Sequence, residues 1–437
     1  VRRPTGSTWR RGAAVTVTAV CLAYAPVAAT GLWPYARPGA PAFGEWLLSH
    51  AVSPRYVADA VATRTGPYRH GLLPLVVHTV LGGALMLLGP AQLLTAARRR
   101  VRLHRALGAA FAVTVYASMA GAGLYLARTA PEDAFSGAAF WIVLATLLAG
   151  TVMSVTCGIL AAARGRPDLH QRWMLLCCAF LLTAPLLRLE WGALPWLLPG
   201  LSLAEINQVA ILHLGSVAVL GALVASRGLD RRRRLPGLSG TWAPLPVLAT
   251  AHLAGAAALA WIVHSGLARG TGGRRLSAAY LVPYALSYAV MAVCGRRAAR
   301  QGRTWAGEEW RLHLTALCLA PVLTAGAAPV FERAMGLDGR TALSAAVAIG
   351  CGVLATAATW VVSLRVLRAG RPAPERRPSA RSSSPTPSGS STSSTSSAGA
   401  EETQRSADET LPYRPVRHQA PGEAEALPQA GTGRRPR

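Results

Sequence analysis

The sequence predicts an all-α polytopic transmembrane helix bundle of about ten spans, each long enough to cross roughly 30 Å of hydrocarbon. Three observations carry this. Hydrophobic residues make up 51% of the 437 positions, with a mean hydropathy of +0.31. Charged residues account for only 15%, against about 25% in soluble domains. Apolar windows recur through most of the length, near 13–33, 71–94, 106–127, 137–162, 173–198, 203–225, 245–264, 276–294, 313–332 and 342–367. Backbone groups in lipid must be paired internally, which makes each window a helix. Abundant Ala, Gly and Thr suit close helix approach.

The first window follows Arg2, Arg3, Arg10 and Arg11. It exceeds the roughly 7–15 apolar residues of a secretory signal and reads as an uncleaved span. The link over 34–70 is the longest on its side. Its surroundings hold Trp33, Tyr35, Trp46, Tyr56 and Tyr68, aromatics suited to a membrane interface. Its "FGEWLL" stretch predicts a short interfacial helix.

Arginine counts set the threading. The net charge is +26, and all 45 basic residues are arginine. Absent lysine and abundant Ala, Gly and Pro read as bacterial GC-rich codon bias. The arginines cluster between apolar runs, the pattern of membrane topology and not of nucleic-acid binding. With the N-terminus inside, the cytoplasmic links carry Arg98–Arg100, Arg102 and Arg105; Arg164, Arg166 and Arg172; Arg227 and Arg231–Arg234; and Arg296, Arg297, Arg300, Arg303 and Arg311. Arg269, Arg274 and Arg275 are the exception on the other side. Both termini are thus expected in the cytoplasm, the chain in a bacterial plasma membrane, and lipid as its partner. From about Gly370 the sequence turns to Ser, Thr, Pro and Gly ("SARSSSPTPSGSSTSSTSSAGA"). Too apolar-poor to offset chain entropy, 371–437 is expected to be a disordered tail.

The seven cysteines (Cys21, Cys157, Cys177, Cys178, Cys294, Cys318 and Cys351) lie in apolar segments without a CxxC pair. They read as small packing residues, not as a disulfide or zinc framework. No nucleotide loop, zinc-protease helix or hydrolase elbow occurs, so nothing marks an enzyme.

Histidines are the informative polar groups, because ionisable side chains in a membrane are costly. "RRRVRLHRALG" at 98–108 and "RGRPDLHQRWM" at 164–174 each place a Leu-His pair ahead of an apolar run. His104 and His170 therefore start the third and fifth spans at the inner edge. His78 and His213 lie in the outer halves of the second and sixth spans, roughly 10–15 Å along the helix. Facing histidines at one depth can ligate haem iron. On this reading His78, His213, His104 and His170 are metal ligands, and Arg105 and Arg172 hold propionates. The competing reading is structural: interfacial side chains snorkel, and a histidine near a helix start can donate to a neighbouring carbonyl. His252, His264 and His313 lie in the second half; His50, His70 and His418 read as solvated. A second polar group joins Arg188 and Glu190 to Glu205, Asn207 and Gln208 ("LSLAEINQVAILHLG"), near His213. It reads as an outward-facing polar site or as an interfacial salt-bridge cluster.

The fifth and ninth spans resemble one another. "LHQRWMLLCCAFLLTAPLLRLEW" and "LHLTALCLAPVLTAGAAPVFERA" both open on Leu-His and close near an arginine, Arg188 or Arg333. A repeat of spans 3–6 as 7–10 competes with chance similarity. Domain boundaries are expected at 1–70, 71–226, 227–370 and 371–437.

Between His78 and His213 the sequence resembles the bacterial predicted membrane proteins of domain of unknown function 2306. The resemblance rests on "HTVLGGALMLLGPAQLL", "RRRVRLHRALG", "GLYLA" and "DLHQRWMLLCCAFLLTAPLLRL". It implies a membrane module without supplying an activity, and it singles out His78, His104, Arg105, His170, Arg172 and Arg188. The histidine layout is also similar to di-haem b-type transmembrane cytochromes of the ascorbate-reducing class, although here the fourth span has no histidine. Two functions therefore stand open. One is a haem b protein for electron transfer or redox sensing. The other is a non-redox transporter or accessory protein with a polar intramembrane site.

Overall fold

A computed structural model describes residues 6–69, 71–94, 97, 99–215, 242–268 and 270–369. Every regular element among them is a helix: α1 (Gly6–Thr30), α2 (Trp33–Ala36), α3 (Phe43–Ala51), α4 (Pro54–Arg69), α5 (Leu72–Leu93), α6 (Val101–Arg128), α7 (Gly137–Ala163), α8 (Pro167–Leu181), α9 (Thr183–Leu197), α10 (203–215), α11 (Leu245–Leu267), α12 (Gly270–Arg300), α13 (Thr304–Met335) and α14 (Gly339–Ala369). Nine stretches among the described residues are long and apolar enough to cross a membrane, with α8 and α9 counted together. The sixth expected span is described only as α10. Its remainder, His70, Arg98, Arg227, Arg231–Arg234, His418 and the tail over 371–437 lie outside the described residues.

The helices outrun the apolar windows. The eighth, ninth and tenth windows grow into 270–300, 304–335 and 339–369. The backbone keeps its hydrogen bonds beyond the hydrocarbon, and flanking arginines extend toward water along apolar stems. The fifth span departs most from expectation. It starts at Pro167, a favoured first position, and breaks at Leu182. Pro185 lacks an N–H and crowds the carbonyl four residues earlier, so α8 ends at Leu181. The 34–70 link holds more structure than the one interfacial helix expected: α2, α3 and α4 together occupy most of it.

α1 packs on α5, α5 on α6, and α7 on α8; α11 and α12 both pack along α13, and α13 along α14. α14 also reaches α7 and α8, tying the two halves together. Small residues permit this. At Gly121 a Cβ would lie 2.7 Å from the Pro74 carbonyl oxygen, and at Gly83 2.9 Å from that of Ala25. Only a bare backbone lets α5 approach both neighbours so closely. Cys21 and Cys177 pack beside Leu85, Phe111, Val115 and Val155 in one buried cluster. A larger cluster joins Leu48, Phe140, Trp191, Ile206, Ile262, Tyr280, Trp310 and Val347. Leu73, Val113 and Leu253 point outward, as lipid-facing residues do. The two suspected repeat units do not pair alike: α11 lies along α13, whereas α6 makes no comparable contact with α8.

Candidate functional site

The four framework histidines have different surroundings. Ser118 Oγ, fully buried on α6, donates to the His78 carbonyl at 3.0 Å. The hydroxyl proton is thereby used, so His78 Nδ1 is the donor toward Ser118, with O at 3.1 Å and Oγ at 3.0 Å. His170 Nδ1 donates to the Gly158 carbonyl of α7 at 2.9 Å. Both imidazoles thus join adjacent helices through Nδ1. His104 lies in the first turn of α6 and is half-buried, beside an exposed Arg105. His213 is held at both ring nitrogens. Nδ1 meets Glu190 Oε1 at 2.6 Å, and Nε2 donates to the Ala279 carbonyl at 3.1 Å. One residue thereby connects α9, α10 and α12, with both members of the ion pair mostly buried.

The second polar group divides. Arg188 turns from Glu190 toward Trp191, its Cζ 4.4 Å from the ring centroid. Glu205 accepts from Ser202 N at 2.9 Å and Ser202 Oγ at 3.0 Å, while Glu205 N donates back to that Oγ at 3.3 Å. This is a reciprocal capping box at the start of α10, and "SLAE" carries its signature. Asn207 is buried, 3% exposed. Just behind the His213 contact, Leu212 and Tyr280 line a small apolar pocket that also includes Arg340 and Ser344.

The two Leu-His clusters differ in depth. Arg172 is buried and ion-paired to Glu309 at 2.7 Å, with exposures of 6% and 1%. Its Cζ lies 5.6 Å from the Trp305 ring. Arg365 Nη1 donates to the Trp305 carbonyl at 3.4 Å. Glu308 accepts from the Ala243 N–H at 2.6 Å and pairs with Arg311 at 3.1 Å. Sequence reasoning passed over Glu308 and Glu309. The available signal was "GEEW", two acids in a chain with only 19, within an arginine-rich link. His313 is buried near Trp310, and His252 is joined to the Tyr288 hydroxyl at 3.1 Å. The exposed His50 bonds the Trp46 carbonyl at 2.8 Å.

Among the described residues, no three His, Cys, Asp or Glu side chains gather as a metal site. A bis-histidine haem needs two ligands, and the fit differs by residue. An imidazole bound through Nδ1 to a carbonyl is oriented as ligating histidines are, and His78 and His170 have that arrangement. His213 would have to give up its Ala279 bond.

Residues 75–225 match the model of a family described as "Predicted membrane protein (DUF2306)". The match takes in His78, His104, Arg105, His170, Arg172, Arg188, Glu190 and His213, and leaves out Glu309. No curated protein and no solved structure matches the chain.

Proposed function

We propose that this multi-pass membrane protein is a proton-linked, non-redox carrier or sensor of a bacterial plasma membrane, with its arginine-rich ends in the cytoplasm and Glu190–His213 as its working pair. The 2.6 Å contact between these groups carries the reading. His213 Nε2 already donates to Ala279. One proton must therefore lie between Nδ1 and Oε1, either as imidazolium and carboxylate or as imidazole and carboxylic acid. Gain or loss of that proton breaks or remakes the link among α9, α10 and α12. The small apolar pocket beside Leu212 and Tyr280 leaves packing space next to the pair, into which the helices can shift when the link changes. Intramembrane carboxylate–histidine pairs are suited to proton relay.

The test uses proteoliposomes loaded with a pH-sensitive dye and challenged with an outside acid jump. Wild type should acidify the lumen faster than Glu190→Gln and His213→Ala, with Glu205→Gln behaving as wild type. Equal rates in all four preparations would end the proposal.

The second reading is haem b. It is favoured by the Nδ1 anchoring of His78 at the outer level and of His170 at the inner one, each with an Nε2 that has no hydrogen bond among the described residues and would need a second ligand at its own depth. Arg105 or Arg172 would then serve propionates, Arg172 only after leaving Glu309. A Soret band in protein expressed with ample haem, lost in His78→Ala or His170→Ala, supports it; a colourless protein removes it.

A further inference from the structure

Away from Glu190 and His213, a second polar cluster lies where α3 packs on α1 and α9 and α4 packs on α3. Arg64 of α4 is 2% exposed there. Its Cζ lies 4.1 Å from the Trp191 ring centroid and 4.9 Å from that of Phe135. Arg188 approaches the same Trp191 ring at 4.4 Å. Two guanidiniums therefore share one indole. Aromatic faces attract cations but offer no lone pair for a full hydrogen bond, and Arg64 Nε and Nη2 have no hydrogen-bond partner among the described residues.

Glu45 is the acid within electrostatic reach of both arginines. Its buried Oε1 has no hydrogen-bond partner among the described residues either, and neither does the Tyr56 hydroxyl, while the Tyr35 hydroxyl faces Arg64. Burial pushes the Glu45 carboxyl up from its ordinary range, with Arg64 and Arg188 opposing. A tight ion pair would satisfy these atoms directly. Instead the cluster keeps one excess positive charge, the unmatched fork of Arg64 and the unbonded Tyr56 hydroxyl, while Arg188 also reaches the Tyr24 hydroxyl. A buried cation in that condition calls for an anion. Guanidinium forks and phenol hydroxyls together match oxyanions, whose several oxygens accept bonds at once.

We infer that Arg64 and Arg188, beside Trp191, form a binding site for an oxyanion, a phosphate or carboxylate group, brought by a small solute or by a lipid headgroup. α3 and α4 form its cover, and Glu45 limits its affinity by repelling the bound anion.

The test measures thermal unfolding of the full chain in two settings. In detergent, inorganic phosphate or acetate is compared with chloride at equal ionic strength. In nanodiscs, phosphatidylglycerol is compared with phosphatidylcholine. Stabilisation by phosphate or acetate in detergent identifies a free solute; stabilisation by phosphatidylglycerol alone identifies a lipid headgroup. In either case Arg64→Gln should abolish the effect. Glu45→Gln should strengthen binding on the order of tenfold, because one like charge is removed at short range. If Arg64→Gln fails to fold, Arg64→Lys keeps the charge, loses the fork and should bind more weakly than wild type. No stabilisation by any of these anions overturns the inference. So does a Glu45→Gln protein that is itself destabilised and responds less to phosphate, because Glu45 would then be the arginines' built-in counterion.

Discussion

Arg172 and Glu309 support the most quantitative prediction. Their ion pair is 2.7 Å long and almost wholly buried. At a charge separation near 4 Å and an effective dielectric constant of about 20, the attraction is about 4 kcal/mol. Breaking such a pair from one side typically costs about 3–5 kcal/mol, because the partner stays buried and charged. Glu309→Gln should fall at the upper end of that range. Arg365 also lies within electrostatic reach of Glu308, Glu309 and Arg172, so losing the Glu309 carboxylate leaves Arg172 without its ion-pair partner and repelled by Arg365, with Glu308 as the remaining acid in reach of Arg365. Arg172→Met should cost less, since a methionine fills much of the same volume while Arg365 still faces Glu309. The assay is equilibrium unfolding in mixed micelles with increasing sodium dodecyl sulfate, run as a double-mutant cycle. The double variant should be less destabilised than the summed singles by roughly 2–3 kcal/mol. Additivity within about 0.5 kcal/mol would refute direct coupling of the two side chains.

The same unfolding assay checks three further expectations. Gly121→Val should destabilise by roughly 1–3 kcal/mol, because even a Cβ would lie 2.7 Å from the Pro74 carbonyl; an unchanged midpoint would contradict the tight α5–α6 contact. Ser118→Ala removes the hydroxyl bonded to His78 and should cost about 1 kcal/mol; no loss would mean that the bond is absent in the membrane. Asp338 caps α14 by accepting from the N–H groups of Arg340 at 2.9 Å and Thr341 at 3.2 Å, so Asp338→Ala at neutral pH should cost about 0.5–2 kcal/mol. Hydrogen bonding to Thr341 holds this carboxyl below its ordinary value. Its stabilising effect is therefore present above the unfolded-state pKa and lost as pH falls through the lower folded one. The gap between wild type and Asp338→Ala should close on acidification; a gap that widens would reverse the assignment.

How far the sequence could be read depended on whether the relevant physics is local. Length and hydropathy of a segment decide whether it crosses a bilayer, and both are properties of consecutive residues. Hence the spans around Leu72–Gln92, Val101–Arg128 and Gly137–Ala163 were legible directly. The same is true of the Leu-His clusters at the first turns of α6 and α8. "SLAE" was legible in principle, since its reciprocal bonds span three residues.

Partnership was not legible. Arg172 finds Glu309 across 137 positions, and His213 finds Ala279 across 66. Arg64, in a link expected at the interface, is instead enclosed by Trp191 and Phe135. In lipid an apolar window states only that a helix forms. Which face meets which neighbour is decided by small-residue contacts such as Gly121 against Pro74 and by a few buried polar bonds, and these exist only once the helices have come together. The amino-acid order thus determined the crossing helices and their edges. Tertiary packing decided which arginines and histidines have partners, because burying a charge is affordable only where another part of the chain supplies its complement.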